Sequence, residues 1–310
     1  MQEKVAKRNI KRPNLFIVGA PKCGTTAWVE YLHSHPEIQF SNEKEPHFFC
    51  EDFKNFRWAR SLDEYHKFFN NIHDTTKIVA EGSVMYLYSK VAARNIHAYN
   101  PDARIIIFLR KYVDFLSSYH RQLLNILEEE EIDFSKAWSK QGMRRDGFEV
   151  PKTCREPKFL FYKDVASFGS QLERYYEVFP KRQIKVIWFD EWTKDPRGTY
   201  LSIMNFLGLN DDGREQFEKV NIAKNKRFYF LNKLVKRPPH LFLSISRVMK
   251  NIMGVKRLYV AQAINRLNEK VRPVDDMPPY LKQKIWDSMQ EDLLKLETLT
   301  GKKLEEKWKP

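Results

Sequence analysis

Short runs of apolar, mostly β-branched residues alternate with helix-like patterns over the first two thirds of the chain. The runs are too short for buried helices, which favours strands covered on both faces. Helical periodicity separates successive runs, as crossover helices do between parallel strands. The predicted strands lie at 14–19, 38–40, 77–80, 104–109 and 183–189. This alternation constrains the fold most strongly, and it predicts an α/β protein with a parallel sheet flanked by helices.

The alternation stops in the last third of the chain. A strongly periodic stretch at 279–300 predicts one long helix that Gly301 ends. We therefore predict a helical and loop-rich C-terminal cap over 214–310, within the same domain as the sheet. Together with a basic tail at 1–13, the whole chain 1–310 is predicted to form a single domain.

Two polar segments interrupt the predicted core. Four consecutive acids at 128–131 follow a helical pattern, and such a run predicts a solvated surface. The stretch 142–157 is rich in glycine, proline and charge, which predicts an exposed insertion.

The composition excludes several classes of protein. With 310 residues, 42% of them hydrophobic and 30% charged, the chain is neither disordered nor a disulfide-stapled miniprotein. No apolar stretch reaches the roughly 18 residues of a membrane span, and the polar N-terminus lacks the apolar core of a secretory signal. Three cysteines without metal-ligand spacing suit a reducing compartment. A cytoplasmic protein is therefore predicted.

Positive charge is concentrated in one window of the chain. The formal net charge is +14, and residues 224–272 alone contain thirteen lysines or arginines against one acid. Such an excess indicates an anionic partner such as a nucleotide phosphate, a sulfated glycan or an acidic lipid. The alternative is a basic face that is only solvated. Peripheral contact with an anionic surface, including the inner face of a membrane, is thus one prediction for this window.

The sharpest motif is the loop between the first predicted strand and the first predicted helix, Gly19-Ala20-Pro21-Lys22-Cys23-Gly24-Thr25-Thr26. At this position backbone N–H groups and a helix N-terminus form a cradle for an anion, as in a P-loop. The Walker lysine is absent, because Thr25 occupies its position and Lys22 lies three residues earlier. A lysine inside the loop suits a shorter anion such as a 5′-phosphosulfate. The alternative is a plain glycine turn.

Arg110 follows the strand predicted at 104–109, and Ser118 lies eight residues later on the next predicted helix. The carboxyl end of a parallel strand is the ligand-binding edge of such a sheet. A guanidinium fork suits phosphate better than the point charge of a lysine. The alternative for Arg110 is an ion pair that closes the strand.

Glu45 and His47 lie in the segment Lys44-Glu45-Pro46-His47-Phe48-Phe49. A carboxylate and an imidazole two residues apart are both candidates for a general base that removes a proton from a hydroxyl. A purely structural role for either residue is the alternative.

In these motifs the sequence resembles the sulfotransferases that use 3′-phosphoadenosine-5′-phosphosulfate (PAPS), and the resemblance extends from about residue 14 to 308. It implies that Lys22, Cys23, Gly24, Thr25 and Thr26 bind the 5′-phosphosulfate, with Lys22 stabilising the leaving group. It also implies that Arg110 and Ser118 bind the 3′-phosphate and that Lys270 and Arg272 close over it. Glu45 is the first candidate for the base, and His47 is the second.

The resemblance implies transfer of a sulfuryl group from PAPS to a hydroxyl without a metal, leaving 3′-phosphoadenosine-5′-phosphate (PAP). The Glu-x-His-Phe-Phe pattern is similar to that of glycan sulfotransferases of the heparan-sulfate type, which favours a carbohydrate acceptor. Gly82 departs from that branch, which tends to carry a lysine after the glutamate at position 81. Other acceptors are a lipid or a small-molecule hydroxyl. The rival functions are a P-loop nucleotide kinase and a basic anionic-surface binding protein; nucleic acid is not an expected partner.

Overall fold

The computed structural model describes residues 12–43, 45–70, 72–218 and 277–310, together with the backbone of 225–226 and 269–270. These residues fall into two compact units. The first unit lies within 1–115, 162–220 and 282–310, and the second within 116–161 and 221–281. The single domain over 1–310 stays a prediction.

A five-stranded parallel sheet forms the centre of the first unit. Its strands in spatial order are β2 (Ile38–Phe40), β3 (Ile78–Gly82), β1 (Leu15–Gly19), β4 (Arg104–Leu109) and β5 (Ile184–Trp188). Every adjacent pair is parallel. The predicted α/β class and parallel sheet are therefore confirmed.

Helices follow most strands of the first unit, as the sequence pattern predicts. Their bounds are α1 Thr25–His33, α2 Leu62–His66 with a 3-10 turn Lys67–Phe69, α3 Ala92–Tyr99, α7 Tyr162–Ala166, α8 Phe168–Tyr176, α9 Phe189–Trp192, α10 Pro196–Leu207, α12 Gln290–Thr300 and α13 Glu305–Trp308. Helix α4 (Tyr112–Ile126) begins in the first unit and continues into the second, and α11 (Pro279–Ser288) crosses the boundary in the opposite direction.

Burial explains why these short runs form strands. All five residues of β1 are buried, and so are five of the six residues of β4. Strands covered on both faces have no polar alternation, which is why each run reads as continuously apolar. Leu15 pairs with Ala80 on one side and with Arg104 on the other, so β1 lies in the middle of the sheet.

The C-terminal helices differ from their prediction in one respect. The prediction of a single helix over 279–300 is wrong. Met289, with φ −103° and ψ 0°, is not helical and separates α11 from α12. Gly301 ends α12 in the left-handed region, as predicted.

Asp292 of α12 caps the N-terminus of α8. Its carboxylate accepts hydrogen bonds from the N–H groups of Gly169 (2.8 Å) and Ser170 (2.9 Å). Position 169 must be glycine, because a Cβ there would collide with the Asp292 carbonyl. The Tyr112 hydroxyl donates to the same carboxylate at 3.1 Å. The C-terminal helix thereby fixes the start of α4, two residues after Arg110.

The described part of the second unit contains α5 (Phe134–Ser139), α6 (Gln141–Arg145) and a 3-10 turn Pro157–Leu160. The prediction of a solvated face at 128–131 is wrong for its first half, because Glu128 and Glu129 are completely buried. Glu129 accepts two hydrogen bonds from the buried Arg144, at 2.7 and 2.8 Å, and Glu128 pairs with Arg155. Partners from the predicted insertion thus compensate the buried charges, which the run of acids alone does not reveal.

The basic window 224–272 lies largely outside the described residues. Only the backbone of Asn225–Lys226 (β6) and Glu269–Lys270 (β7) is described there, as an antiparallel pair. Within the ranges that the structure describes, no helix has the length and apolarity to cross a bilayer.

Candidate active site

Three neighbouring strands of the first unit end at the same edge of the sheet. The loops after β3, β1 and β4 therefore lie side by side, with β1 in the middle. The strand order reverses at β1, and in open α/β sheets ligands bind at such a switch point. The loops carry Lys22 to Gly24 after β1, Ser83 after β3 and Arg110 after β4.

The loop after β1 is held by hydrogen bonds to β4 and α9. Its Ala20 N–H donates to the Phe108 carbonyl of β4 at 2.7 Å, and Trp192 Nε1 donates to the Cys23 carbonyl at 3.3 Å. Gly24 has φ 88°, and a Cβ at this position would collide with the Trp192 ring. Only glycine therefore fits here. It leads directly into α1, whose first N–H groups have no partner within the helix.

Two cations flank the buried thiol of Cys23. Burial raises the pKa of this thiol to about 12, while the positive charges of Arg110 and Lys22 act in the opposite direction. The structure therefore brings together the loop lysine and the arginine at the end of β4, which are 88 positions apart in the sequence. Thr25 and Thr26 are the first two residues of α1.

The Arg110 side chain is held by an aromatic ring and has a buried nitrogen atom without a partner among the described residues. Its guanidinium carbon lies 4.3 Å from the centre of the Phe189 ring, which fixes the side chain by a cation–π contact. Its Nε atom is buried and has no hydrogen-bond partner among the described residues. A buried donor left unpaired costs about 1–3 kcal/mol, which a phosphate oxygen would recover. The ion pair considered as the alternative for Arg110 is not present in the described residues.

Glu45 and His47 are in direct contact. The Glu45 Oε2 atom lies 3.2 Å from His47 Nε2, and the exposed fractions of the two side chains are 27% and 2%. The imidazole packs against the Phe56 ring at 4.4 Å between ring centres, and its Nδ1 is buried without a partner among the described residues. The carboxylate of Glu45 is therefore accessible from solvent, whereas the imidazole of His47 is buried.

A buried carboxylate from β3 supports this pair. Glu81 accepts hydrogen bonds from the hydroxyls of Tyr65 and Ser83, both at 2.5 Å. Ser83 Oγ in turn accepts the His47 N–H at 3.0 Å. Burial raises the pKa of Glu81 to about 7, and the negative charge of Glu45 acts in the same direction. Glu81 thus anchors the loop of the candidate base through Ser83.

Sequence reasoning placed Glu81 only as part of a family motif and missed Tyr65 and Ser83 as its partners. The polar residues Glu81 and Ser83, at and just after the end of an otherwise apolar strand, were the available signal. Trp192 was missed as well, since its contact with Gly24 joins segments that are far apart in the sequence.

The three predicted catalytic residues share an unusual backbone conformation. Lys22, Glu45 and His47 have φ values of 62°, 59° and 52°. For residues other than glycine this left-handed region costs roughly 1–3 kcal/mol and is concentrated at functional sites. Among the described non-glycine residues, only Leu127 and Glu149 share it. Three of the five described non-glycine residues with this conformation are thus residues that the sequence motifs selected, and their catalytic roles stay predictions.

The remaining predicted ligands are not brought together by the described residues. Ser118 is buried on α4, in the part of the helix that belongs to the second unit. Only the backbone of Lys270 is described, and Arg272 lies outside the described residues. The described residues contain no cluster of three or more His, Cys, Asp or Glu suited to a metal ion. The roles of all these residues and the absence of a metal stay predictions.

The sheet order and the glycine-containing loop between β1 and α1 define a P-loop-like α/β protein. A family model described as "Sulfotransferase domain" matches residues 12–265. The chain belongs to this family of sulfotransferases.

Individual proteins agree with the family match. The crystal structure of a sulfotransferase from Alicyclobacillus acidocaldarius is similar with a TM-score of 0.71 and 26% identity, covering 97% of this chain and 100% of that chain. Heparan sulfate glucosamine 3-O-sulfotransferase 6 of Homo sapiens is 26% identical over 220 residues, 70% of this chain and 56% of that protein.

A second human relative is bifunctional heparan sulfate N-deacetylase/N-sulfotransferase 3. It is 27% identical over 205 residues, which is 64% of this chain and 22% of that protein. The chain thus spans about half or less of the length of these curated relatives.

Proposed function

We propose that this sulfotransferase moves the sulfuryl group of PAPS to a hydroxyl of a carbohydrate. The observation that carries the proposal is the contact between the accessible carboxylate of Glu45 and the buried imidazole of His47, at the same sheet edge as the loop cations. The names of the two heparan sulfate relatives support a carbohydrate acceptor.

PAPS supplies an activated sulfuryl group on a nucleotide 5′-phosphate. The residues that would hold this end are Gly24, Thr25 and Thr26 with their backbone N–H groups, and Lys22 with its cation. Arg110 is the residue that would hold the 3′-phosphate, because its buried Nε is a donor without a partner in the described residues. These groups fit a nucleotide with two anionic ends.

Glu45 acts in this proposal as the general base. The acceptor oxygen forms the new bond to sulfur, the bridging S–O bond of the donor breaks, and the hydroxyl proton goes to the Glu45 carboxylate. His47 donates through Nε2 to the same carboxylate and orients it. Lys22 offsets the negative charge that the leaving 5′-phosphate gains.

The acceptor class is tested with PAPS and three acceptors: a glucosamine–uronic acid oligosaccharide, a simple phenol and a sterol. Release of PAP measures transfer, and we expect turnover with the oligosaccharide at least tenfold above that with either other acceptor. PAP, but not ATP at the same concentration, should raise the melting temperature, since stabilisation reaches about 2.7 kcal/mol at a hundredfold excess over Kd. Turnover with the phenol or the sterol alone would contradict the carbohydrate acceptor.

Arg110→Ala is expected to weaken PAP far more than adenosine 5′-phosphosulfate, which lacks the 3′-phosphate. A charge-assisted hydrogen bond contributes about 1.5–3 kcal/mol, so the Kd of PAP should rise by roughly 10- to 150-fold. Isothermal titration calorimetry measures both ligands. Lys111→Ala is the matched control, because it removes an equal charge one residue further along. Equal losses for the two ligands would move Arg110 away from the 3′-phosphate.

A further inference from the structure

An exposed tryptophan lies beside the candidate base. All seven tryptophans are described, and five of them are nearly or completely buried, whereas Trp58 exposes 68% of its surface. The remaining one, Trp192, packs against the loop at Gly24. Aromatic side chains commonly line ligand sites, so an exposed ring beside the candidate base is a candidate contact for the acceptor.

The backbone of Trp58 is tied to the loop that carries the base. Its N–H donates to the carbonyl of Pro46 at 3.1 Å, and Pro46 lies between Glu45 and His47 in the sequence. This hydrogen bond joins the backbone of Trp58 directly to the loop of the candidate catalytic pair.

The two residues before Trp58 pack onto the same loop. The Phe56 ring contacts the His47 ring at 4.4 Å, and the Arg57 guanidinium lies 5.3 Å from the centre of the Phe48 ring. Ala59, directly after Trp58, is completely buried. Anchors on both sides fix the backbone of Trp58, so the point from which the exposed ring projects is held in place.

We propose that the exposed face of Trp58 is an acceptor subsite, on which a pyranose ring stacks beside the sugar whose hydroxyl reaches Glu45. The axial C–H groups of a pyranose form an apolar face, and a flat aromatic ring with a polar edge matches such a face. The subsite rests on the proposed carbohydrate acceptor and adds a recognition element one sugar away from the reacting hydroxyl.

The test compares acceptors of different length at saturating PAPS. The probes are a methyl glucosaminide and glucosamine–uronic acid oligosaccharides of two, four and six sugars. For Trp58→Ala we expect KM for the hexasaccharide to rise on the order of tenfold, as for an aromatic contact residue at a binding surface. The kcat value and the KM for the methyl glucosaminide should change less than twofold. Trp58→Phe should recover most of the loss, and Trp58→Leu, which lacks a flat ring, should not.

Leu294→Ala is the matched control, since Leu294 is a similarly exposed apolar side chain of the first unit, on α12. PAP affinity and melting temperature of each variant separate a local effect from misfolding. An unchanged hexasaccharide KM in an active Trp58→Ala enzyme would overturn the subsite while leaving the carbohydrate acceptor intact. A wild-type enzyme that sulfates none of these sugars would overturn both. If light scattering shows that Trp58→Ala converts a dimer into a monomer, the ring belongs to a contact between copies and the subsite is wrong.

Discussion

Replacing Lys22 with alanine is expected to lower the rate of sulfuryl transfer by a factor of about 10²–10³, the usual cost of removing a group aimed at charge that develops in the transition state. The physical reason lies in the loop after β1. The backbone of Lys22 is in the left-handed region, two residues before Gly24. The positive charges of Lys22 and Arg110 both act on the buried thiol of Cys23. Single-turnover kinetics with PAPS and the oligosaccharide acceptor measures the effect.

The control for Lys22 separates chemistry from binding and folding. Lys22 is only partly buried, so Lys22→Ala should retain the melting temperature of the wild type. PAP affinity should fall much less than the rate, because the cation is needed most as the leaving phosphate gains charge. Lys22→Arg keeps the charge and should retain part of the activity. A Lys22→Ala enzyme with close to normal turnover would remove Lys22 from the catalytic step.

Glu45→Gln is expected to lower kcat by about 10²–10⁴-fold, as loss of a general base typically does. Glutamine keeps the size of the side chain and its hydrogen bond to His47, but it does not accept the proton of the acceptor. PAP affinity should change little, which calorimetry checks. Glu43→Gln is the matched control, since Glu43 is an exposed acid two residues earlier in the same segment.

The His47→Gln variant completes the assignment of the base. If His47 only orients Glu45, its loss should cost clearly less than that of Glu45. If His47 is the base, the order of the two effects reverses. A change in the pH–rate profile near 7 would instead belong to Glu81, whose burial raises its pKa to about 7, and Glu81→Gln should abolish that change.

The sequence predicted the parts of the fold that depend on local patterns. Buried parallel strands appear as continuous apolar runs, and Gly301 ends a helix because it adopts a left-handed φ that other residues rarely adopt. For the same reason, motif spacing was sufficient to select Lys22 and Arg110 as candidates.

What the sequence did not predict depends on contacts between distant segments. Trp192 excludes a side chain at Gly24, although 168 positions separate the two residues. Glu81 supports His47 through Ser83, and Pro46 binds the backbone of Trp58, which no periodicity indicates. The different exposures of Glu45 and His47, which favour Glu45 as the base, likewise cannot be read from their spacing.

The buried pair of Glu129 and Arg144 constrains how this chain changes during evolution. Two hydrogen bonds, at 2.7 and 2.8 Å, join the carboxylate to the guanidinium, and neither side chain reaches solvent appreciably. Loss of either partner alone leaves an uncompensated buried charge, at a cost of about 3–5 kcal/mol, whereas an apolar pair of similar volume is often neutral. A lineage that leaves this arrangement must therefore replace both positions almost together. Positions 129 and 144 are therefore expected to covary among related sequences, although neither residue belongs to the candidate active site.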